Sequence, residues 1–591
     1  MTVTNHAPST AIQQAIDKLH QQREKVLSLP APDAMNFILD APQPAALVHS
    51  ISETDLLFLV LDIGPEDALP LLSLASNSQW EFILDMQVWK HDRIEYPALT
   101  RWMNLRFLAD PERFLQWVKQ DAAEFVELYL FKNVHIRFLE PDEDPSDIPD
   151  DFMTIDSTIY YRLLPESEMQ ATTEAIAENS GPEVDTNEER YSFITQFLNR
   201  LYSDDPIYFM NFMQETGTIL PAEAEEETYR QHSVRMAEKG FLPFEEAVGV
   251  YQPITPEKMS RRYKAPHRED MAQPSASLYM SELLTSNDLL TNALKQLEQD
   301  LYLELQAETA SLANQIAVAD QIRIESRDDL KAVVQKIIGY LGIGLELLSA
   351  PPSRPDRCAA VIQERLLSDI FRVGYGAALE LKWQAQQWMP RSWAASRKLT
   401  LNFWGEAWLG VLGGLLLKKP LYFDNYQTGV LYREFKSLAD IQTTRTALND
   451  IIQFDGILEA MADTLSPALN QIRSKRGLFW KNLILTCWAG WHLKLPATTF
   501  VLSMEQFIRF YRDLFDITSA SDTDSGMKIP KTMKASFLKW LSAASQQSER
   551  ELTDRCGQIL ESLFIELEAE FSHVSPKNLD PRYISLFQVK A

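Results

Sequence analysis

Glycine and cysteine are scarce in this chain of 591 residues, which contains 20 glycines and three cysteines. So few glycines argue against a glycine-rich β protein and against an enzyme built on a nucleotide-binding loop. The cysteines, Cys358, Cys487 and Cys556, are far apart and odd in number, so no disulfide framework is predicted. A reducing, cytoplasmic location is therefore the expectation.

Long apolar runs are also missing. The longest run, residues 407–417, has 11 residues, whereas a membrane-spanning helix needs about 18 to 20. The N-terminus lacks the charged-then-apolar pattern of a signal peptide. We therefore expect no membrane span.

Local catalytic motifs are absent as well. The sequence contains no Walker A loop, GxGxxG, GxSxG, HExxH or CxxC pattern. These patterns mark phosphate, nucleophile and zinc sites because their spacing brings the reacting groups together. No cofactor is predicted, and a non-enzymatic role is favoured, although catalytic residues need not be neighbours in sequence.

Charge is unevenly distributed along the chain, which has a net charge of −27. Residues 1–262 hold 20 Lys and Arg against 45 Asp and Glu, a net charge of −25, while residues 263–591 hold 36 against 38. An acidic half argues against nucleic acid and anionic membranes as partners. It permits a basic protein partner or divalent cations, although solubility alone is the simpler explanation.

A 12-residue repeat runs through residues 33–86. One phase of the repeat holds residue types that favour helix N-caps, namely Asp40, Ser52, Gly64 and Ser76. Mostly apolar residues follow four and eight positions later. This pattern is typical of short stacked helices, each too small to bury its apolar face alone.

Residues 56–61, Leu-Leu-Phe-Leu-Val-Leu, have a second interpretation as a buried strand. Periodicity cannot exclude a strand for so short a run. The flanking segments, SETD and GPED, are typical of helix starts, with acidic residues near the positive end of the helix dipole. The helix is therefore the favoured prediction.

The rest of the chain divides by composition. Residues 134–164 are rich in β-branched and aromatic residues and predict a hairpin, whose connection holds seven acidic residues between positions 140 and 151. Beyond residue 278, long segments with helical periodicity predict an antiparallel bundle. The predicted fold is mainly α, with a short-helix solenoid at 1–132, a mixed α/β acidic segment at 133–262, a linker at 263–277 and an all-α helical domain at 278–591.

Two resemblances accompany these patterns. The segments SETDLLFLVLDIGPEDALPLLSLAS and DPERFLQWV resemble the superhelical N-terminal domain of MgtE-type magnesium transporters and, more loosely, the helical repeats of the flagellar rotor switch protein. The segments GPEDALPLLSLAS, LYLFKNVHIRFLEPDEDPSD and GFLPFEEAVGVYQP resemble a bacterial family with a domain of unknown function. The first resemblance implies a helical contact surface over residues 33–130, and the second implies no activity.

Tryptophan is concentrated in the second half, which holds nine of the 13. Aromatic side chains at helical spacing line either a core or an apolar ligand pocket between helices. The candidate pocket residues are Trp383, Trp404, Trp408, Trp480, Trp488 and His492. A tryptophan-rich core is the alternative interpretation.

Two weaker candidates involve charge. Asp142, Asp144 and Asp147 offer the carboxylate oxygens that hard cations prefer, but their spacing is not that of an EF-hand, and a solvated acidic loop is the alternative. Residues 473–481 interleave basic and aromatic residues, a thin basis for nucleic-acid binding in a nearly neutral half.

Three functional hypotheses follow. The leading one is a cytosolic, non-enzymatic protein-interaction scaffold or regulatory protein, whose acidic helical half contacts a protein partner while the second half holds or dimerises it. The alternatives are a small-molecule-binding or catalytic helical domain around the tryptophans, and a domain that responds to divalent cations.

Overall fold

The structure is a computed structural model that describes residues 18–590 apart from several gaps. The gaps are residues 20, 24, 91–92, 141–142, 166–185, 240, 263–288, 298, 323, 325, 350, 352, 472–476, 497–499 and 518–526. The described chain is mainly α-helical with small sheets, which confirms the predicted fold class. None of its helices combines the length and the apolar composition that a membrane span requires.

Backbone contacts divide the chain into two compact units. The first comprises the described residues within 1–250, 261–337 and 362–368, and the second comprises those within 251–260, 338–361 and 369–591. The linker predicted at 263–277 lies outside the described residues, and the predicted domain boundaries stay predictions.

The described helices up to the unit division follow one another closely in sequence. In chain order they are α1 (Ala31–Leu39), α2 (Pro44–Ser50), α3 (Glu53–Ile63), α4 (Leu69–Leu72), α5 (Asn77–Val88), α6 (Tyr96–Ala109), α7 (Pro111–Gln120), α8 (Ala123–Asn133), α9 (Thr186–Asp204), α10 (Pro206–Thr218), α11 (Pro221–Glu238), α12 (Phe244–Ala247), α13 (Leu289–Leu294) and α14 (Gln299–Asp320). The next helix, α15 (Arg327–Leu348), begins in the first unit and ends in the second.

The short helices of the repeat region pack in sequence order, since α1 contacts α2, α3 and α4, and α3 contacts α5. Residues 56–61 lie inside α3, so the helix prediction is confirmed there. Ser52 and Ser76 cap α3 and α5 through hydrogen bonds that their hydroxyls accept from backbone N–H groups. Asp40 instead follows the end of α1, so its prediction as a helix start was wrong. Proline at the first turn of α2 sets a later helix start. Gly64 ends α3, and its carbonyl also accepts from the N–H of Ala68 at 3.0 Å, which opens the turn before α4.

The predicted hairpin is confirmed and gains a third strand. Strands β3 (Val134–Phe138) and β5 (Ile159–Leu163) pair antiparallel, and β4 (Met153–Thr154) pairs with the other edge of β5. Two strands of two residues each, β1 (Trp89–Lys90) and β2 (Arg93–Ile94), pair antiparallel and connect α5 to α6. The β-branched and aromatic residues at the start of β5 are buried, and they pack against the core that the helices of this unit form.

Phenylalanine side chains form the centre of the first unit. The rings of Phe114 and Phe197 meet edge to face with centroids 5.5 Å apart, and Phe193 packs against both. These residues come from α7 and α9, which are nearly 80 residues apart in sequence. Each such aromatic pair adds about 0.5–1.5 kcal/mol beyond its area burial, so the cluster ties distant helices into one core.

The first unit also buries a carboxyl group beside a second, exposed one. The side chain of Glu127 on α8 lies beside that of Glu215 on α10, and Glu127 is only 5% exposed, whereas Glu215 is exposed. Burial and the neighbouring charges of Glu215 and Glu124 raise the pKa of Glu127 to about 7. Both causes act against the charged form, so this site favours the protonated form of Glu127.

The second unit continues the helical series. Its helices are α16 (Pro355–Glu364), α17 (Leu367–Trp388), α18 (Trp393–Ser396), α19 (Gly405–Leu416), α20 (Leu438–Ala460), α21 (Ala462–Gln471), α22 (Trp480–His492), α23 (Met504–Leu514), α24 (Lys531–Ser545) and α25 (Glu549–Phe571). Helix α16 begins in the second unit and ends in the first, whereas α17 begins in the first unit and ends in the second. A two-stranded hairpin, β6 (Tyr422–Phe423) and β7 (Tyr432–Arg433), lies between α19 and α20.

Two glycines bring α15 and α17 into close contact. A Cβ atom at Gly374 would overlap the carbonyl oxygen of Tyr340, and one at Gly344 would overlap the carbonyl oxygen of Ile370. Beside this contact, Tyr340, Phe371 and Tyr375 pack their rings together, with Phe371 and Tyr375 stacked. The close approach of the two backbones therefore sets the separation at which these rings pack.

Arg433 holds the β6–β7 hairpin against the start of α20. Its guanidinium donates to Asp424 and Asp440 at 2.7 Å each, and it lies over the ring of Tyr422. Both carboxylates are largely buried. Such a network is sensitive to loss of one member because the remaining charge stays buried without its counter-ion.

Replacement of Gly374 by Ala should destabilise the second unit by about 1–3 kcal/mol, because the new methyl group can be accommodated only if the two helices move apart. The thermal unfolding midpoint of the full chain measures this loss. Gly249→Ala is the matched control, since a Cβ there meets no atom within 4 Å. Equal midpoints for the two variants would contradict the close helix approach.

The carboxyl pair predicts a pH-dependent stability difference. Because the folded-state pKa of Glu127 lies above its unfolded value, its contribution is full below about pH 4.5 and is lost as pH rises through about 7. Glu127→Gln removes this titration and should be more stable than the wild type by on the order of 2 kcal/mol at pH 8, with little difference at pH 5.

Thermal melting of both proteins between pH 5 and pH 8 checks this prediction. Glu226→Gln, which changes an exposed residue of α11, controls for the loss of one negative charge. A difference in melting temperature between Glu127→Gln and the wild type that stays constant with pH would show that Glu127 does not titrate in this range.

Candidate functional site

One cavity of about 280 Å³ lies within the second unit, between helices α19, α20, α22 and α25. Three tryptophans, three charged residues, one glutamine and several small or apolar residues line it. The lining residues are Trp404, Gly405, Ala407, Trp408, Asp450, Trp480, Lys481, Gln558, Ile559, Ser562, Leu563 and Glu566.

Helical periodicity explains which residues reach this cavity. The five lining residues of α25 lie between Gln558 and Glu566 at spacings of one, four, five and eight, which places them on one face of the helix. Trp480 and Lys481 are the first two residues of α22, so their position depends on how that helix begins. Asp450 comes from the middle of α20.

The aromatic wall is a packed cluster of indole rings. Trp408 and Trp480 stack with centroids 4.9 Å apart and an angle of 14° between their planes, and Trp404 lies 5.9 Å from Trp408. The indole N–H of Trp480 donates to the backbone carbonyl of Trp404 at 2.9 Å. Phe454 packs edge to face against both stacked rings, 4.4 Å from Trp480 and 5.9 Å from Trp408. The rings therefore hold fixed positions before any ligand enters.

The start of α22 is fixed by Asn482, which is 2% exposed. Its side-chain oxygen accepts from the N–H of Phe479 at 2.9 Å, and its amide group donates to the carbonyl of Gly477 at 2.9 Å. Gly477 has a φ of +78°, a left-handed conformation that favours glycine. This turn sets the direction in which Trp480 and Lys481 leave the backbone.

A buried carboxylate supports the aromatic wall from behind. Asp455 accepts hydrogen bonds from the indole N–H of Trp388 at 3.2 Å and from the backbone N–H groups of Trp393 and Ala394 at 3.1 and 3.4 Å. The ring of Trp388 lies 5.6 Å from that of Trp404. Asp455 thus holds a second layer of aromatic side chains in place.

Three charged groups face the cavity, and two of them form an ion pair. The ammonium of Lys481 lies 2.6 and 2.5 Å from the two carboxylate oxygens of Glu566. Asp450 makes no hydrogen bond or ion pair with any residue in the described part of the chain, and burial raises its pKa. The wall therefore presents one carboxylate without a counter-ion beside an aromatic surface.

The structure brings together three of the six predicted pocket residues, Trp404, Trp408 and Trp480. Trp488 lies fully buried in a neighbouring core, where its ring meets Phe510 and Phe537 edge to face at 5.1 and 5.0 Å. The remaining two do not line the cavity. Trp383 is 43% exposed on α17, and His492 pairs with Asp513 at 3.1 Å.

The polar half of the wall was missed by sequence reasoning. Asp450, Gln558, Ser562 and Glu566 belong to two helices that the sequence also predicts, but their spacing is that of any solvated helix face. The alignment of these two faces with the tryptophans depends on the packing of α20 and α25, and no local sequence pattern predicts this alignment.

Of the three predicted cation ligands, the structure describes Asp144 and Asp147. Asp142 lies outside the described residues. The carboxylate of Asp144 accepts hydrogen bonds from the backbone N–H and the hydroxyl of Ser146, and Asp147 is exposed. Over the residues that the structure covers, no group of three or more His, Cys, Asp or Glu side chains is placed to hold a metal ion. The metal assignment stays a prediction.

The three cysteines are free thiols. Burial raises the pKa of Cys487 to about 12 and that of Cys556 to about 11, and it also raises the pKa of Cys358. Because the thiolate is the nucleophilic form, these thiols are poorly suited to covalent catalysis near neutral pH.

Comparison with known proteins gives one match. The sequence model of a family of unknown function (DUF6178) matches residues 10–590. No curated protein and no solved structure matches the chain. The resemblance to MgtE-type transporters therefore gains no support from these comparisons.

Proposed function

Since the chain belongs to DUF6178, a family of unknown function, we propose a function from the geometry of its own site: it binds a small organic molecule in the tryptophan cavity. The observation that carries the proposal is a cavity of about 280 Å³ in which three indole rings and a few polar groups converge. Small-molecule sites have this composition, and their volumes begin at about 300 Å³.

The aromatic wall supplies an apolar surface that is already ordered. The hydrogen bond from Trp480 to Trp404 and those that Asn482 makes fix the rings without a ligand. Binding to such a wall avoids much of the entropy that is lost when mobile side chains are ordered. The ligand we propose is compact and largely apolar on the side that faces the indoles.

We propose binding in preference to catalysis. The hydroxyl of Ser562, which is the only hydroxyl among the lining side chains, makes no hydrogen bond to a basic side chain in the described part of the chain. An activated hydroxyl nucleophile requires such a base within hydrogen-bond distance. Lys481, the one amine of the wall, is held in its ion pair with Glu566.

A second proposal concerns the first unit, which would act as an acidic protein-interaction surface. Two large apolar residues on one face of α10, Ile207 and Met210, are 75% and 48% exposed. Exposed apolar residues within an acidic surface are typical of contact sites for a basic partner or a second copy of the chain. A cytoplasmic location is part of this proposal and agrees with three free thiols.

Ser562→Phe should fill the cavity and weaken binding by about tenfold or more, because the new ring occupies the space beside the tryptophans. Ligand-observed NMR with a fragment library of neutral, cationic and anionic compounds measures binding to the full chain. Ile565→Phe adds the same ring at an exposed position of α25 that does not line the cavity, and it should leave binding unchanged.

Two results would overturn the small-molecule proposal. One is that no fragment binds the wild-type chain. The other is that every bound fragment binds the folded Ser562→Phe variant as well as it binds the wild type, which would place binding outside this cavity.

The interaction proposal is tested by replacement of Ile207 and Met210 with Glu. The double variant should lose crosslinked partners, or self-association in analytical ultracentrifugation, because two charges on one helix face oppose apolar contact. Val430→Glu, at an exposed position of the second unit, is the control. Identical crosslinking and sedimentation of both variants and the wild type would contradict the proposal.

A further inference from the structure

We propose that the ligand of the tryptophan cavity is an organic cation, with a quaternary or tertiary ammonium group that lies between the indole rings and Asp450. This inference rests on the proposed small-molecule binding and names its ligand class. The feature that carries it is the combination of an unpaired carboxylate with an aromatic wall in one cavity.

The charge balance of the wall favours a cation. Lys481 and Glu566 neutralise each other at 2.5 Å, which leaves Asp450 as the uncompensated charge. Arg555 on α25 donates to Gln547 at 3.3 Å and forms no ion pair with Asp450. An anionic ligand would add a second negative charge to a partly buried site, which is costly. A neutral ligand would further desolvate Asp450 without pairing it.

The indole rings favour a cation for a separate reason. The face of an indole carries negative electrostatic potential, and tryptophan is the strongest aromatic partner for ammonium groups. The wall already shows this contact, since the ammonium of Lys481 lies 5.6 Å from the centre of the Trp480 ring. Trp408 is only partly buried, so its ring keeps surface that a ligand can reach.

The hydrogen-bonding groups narrow the ligand class. Gln558 and Ser562 are the two neutral polar side chains on the lining face of α25, whereas the indole N–H of Trp480 is already used by Trp404. A primary ammonium group needs three acceptors, so it would have to reach Asp450, Gln558 and Ser562 at the same time. A methylated ammonium group, which needs few acceptors or none, therefore suits the site better.

Isothermal titration calorimetry of the full chain with choline and with its uncharged isostere, 3,3-dimethylbutanol, tests this inference. Choline should bind about tenfold more tightly than the alcohol, since the two differ in charge and hardly in shape. Tetramethylammonium and benzyltrimethylammonium serve as further cationic probes of smaller and larger size.

Asp450→Asn is the decisive variant. It should weaken choline binding by about tenfold and leave the affinity for the alcohol unchanged, because only the charge pairing is removed. Asp450→Glu should restore part of the choline affinity. The melting temperature of Asp450→Asn should equal or exceed that of the wild type, since the variant removes a partly buried charge.

The outcomes separate the two proposals. Equal binding of choline and the alcohol, equal binding of choline to the wild type and Asp450→Asn, or binding of neutral fragments while all three cations fail to bind, would overturn the cation assignment and leave small-molecule binding in place. Failure of every cation and every fragment to bind would overturn the proposed function itself.

Discussion

The hydrogen bond from the indole of Trp480 to the carbonyl of Trp404 is the interaction on which the tryptophan cavity depends. It joins the first residue of α22 to the turn that precedes α19, two segments that are 76 positions apart in sequence. Because a buried N–H without a partner is costly, the bond fixes both the ring and the backbone turn. The stacking of Trp408 on Trp480 then follows from the position of the Trp480 ring.

This bond is effective because the surrounding backbone is itself fixed. Asn482 and Gly477 set the start of α22, and Asp455 fixes the aromatic layer behind Trp404. The side chains of Asn482 and Asp455 are buried and hydrogen-bonded, which is the arrangement that gives a core a unique conformation. Asp450 and Glu127 depart from this pattern. They are partly or fully buried carboxyl groups whose charges are not balanced by a cation in the described part of the chain.

The two departures have different consequences. Glu127 lies next to another carboxyl group, so the lowest-energy solution is a proton on Glu127 and a raised pKa. Asp450 has no such neighbour and faces a cavity, so an external cation is the group that would balance its charge. The same physical cost, a carboxylate removed from water, thus leads to a titrating pair in one unit and to a proposed ligand site in the other.

The sequence by itself determined the helical class, the hairpin and the residues from which the aromatic wall is drawn. These features depend on local periodicity, on side-chain preferences and on helix caps such as Ser52 and Ser76, all of which act over a few residues. The same local rules failed at Asp40, because a proline a few residues later provides a competing helix start.

Only the tertiary structure decided which tryptophans line a cavity and which fill a core. Trp480 and Trp488 lie on the same helix eight residues apart, yet one borders open space and the other meets Phe510 and Phe537. The pairing of Glu127 with Glu215 and the exposure of Asp450 to the indoles were decided in the same way. In each case the partner comes from a distant helix, and the energy of a buried charge or ring depends on that neighbour and not on the residue's own position in the chain.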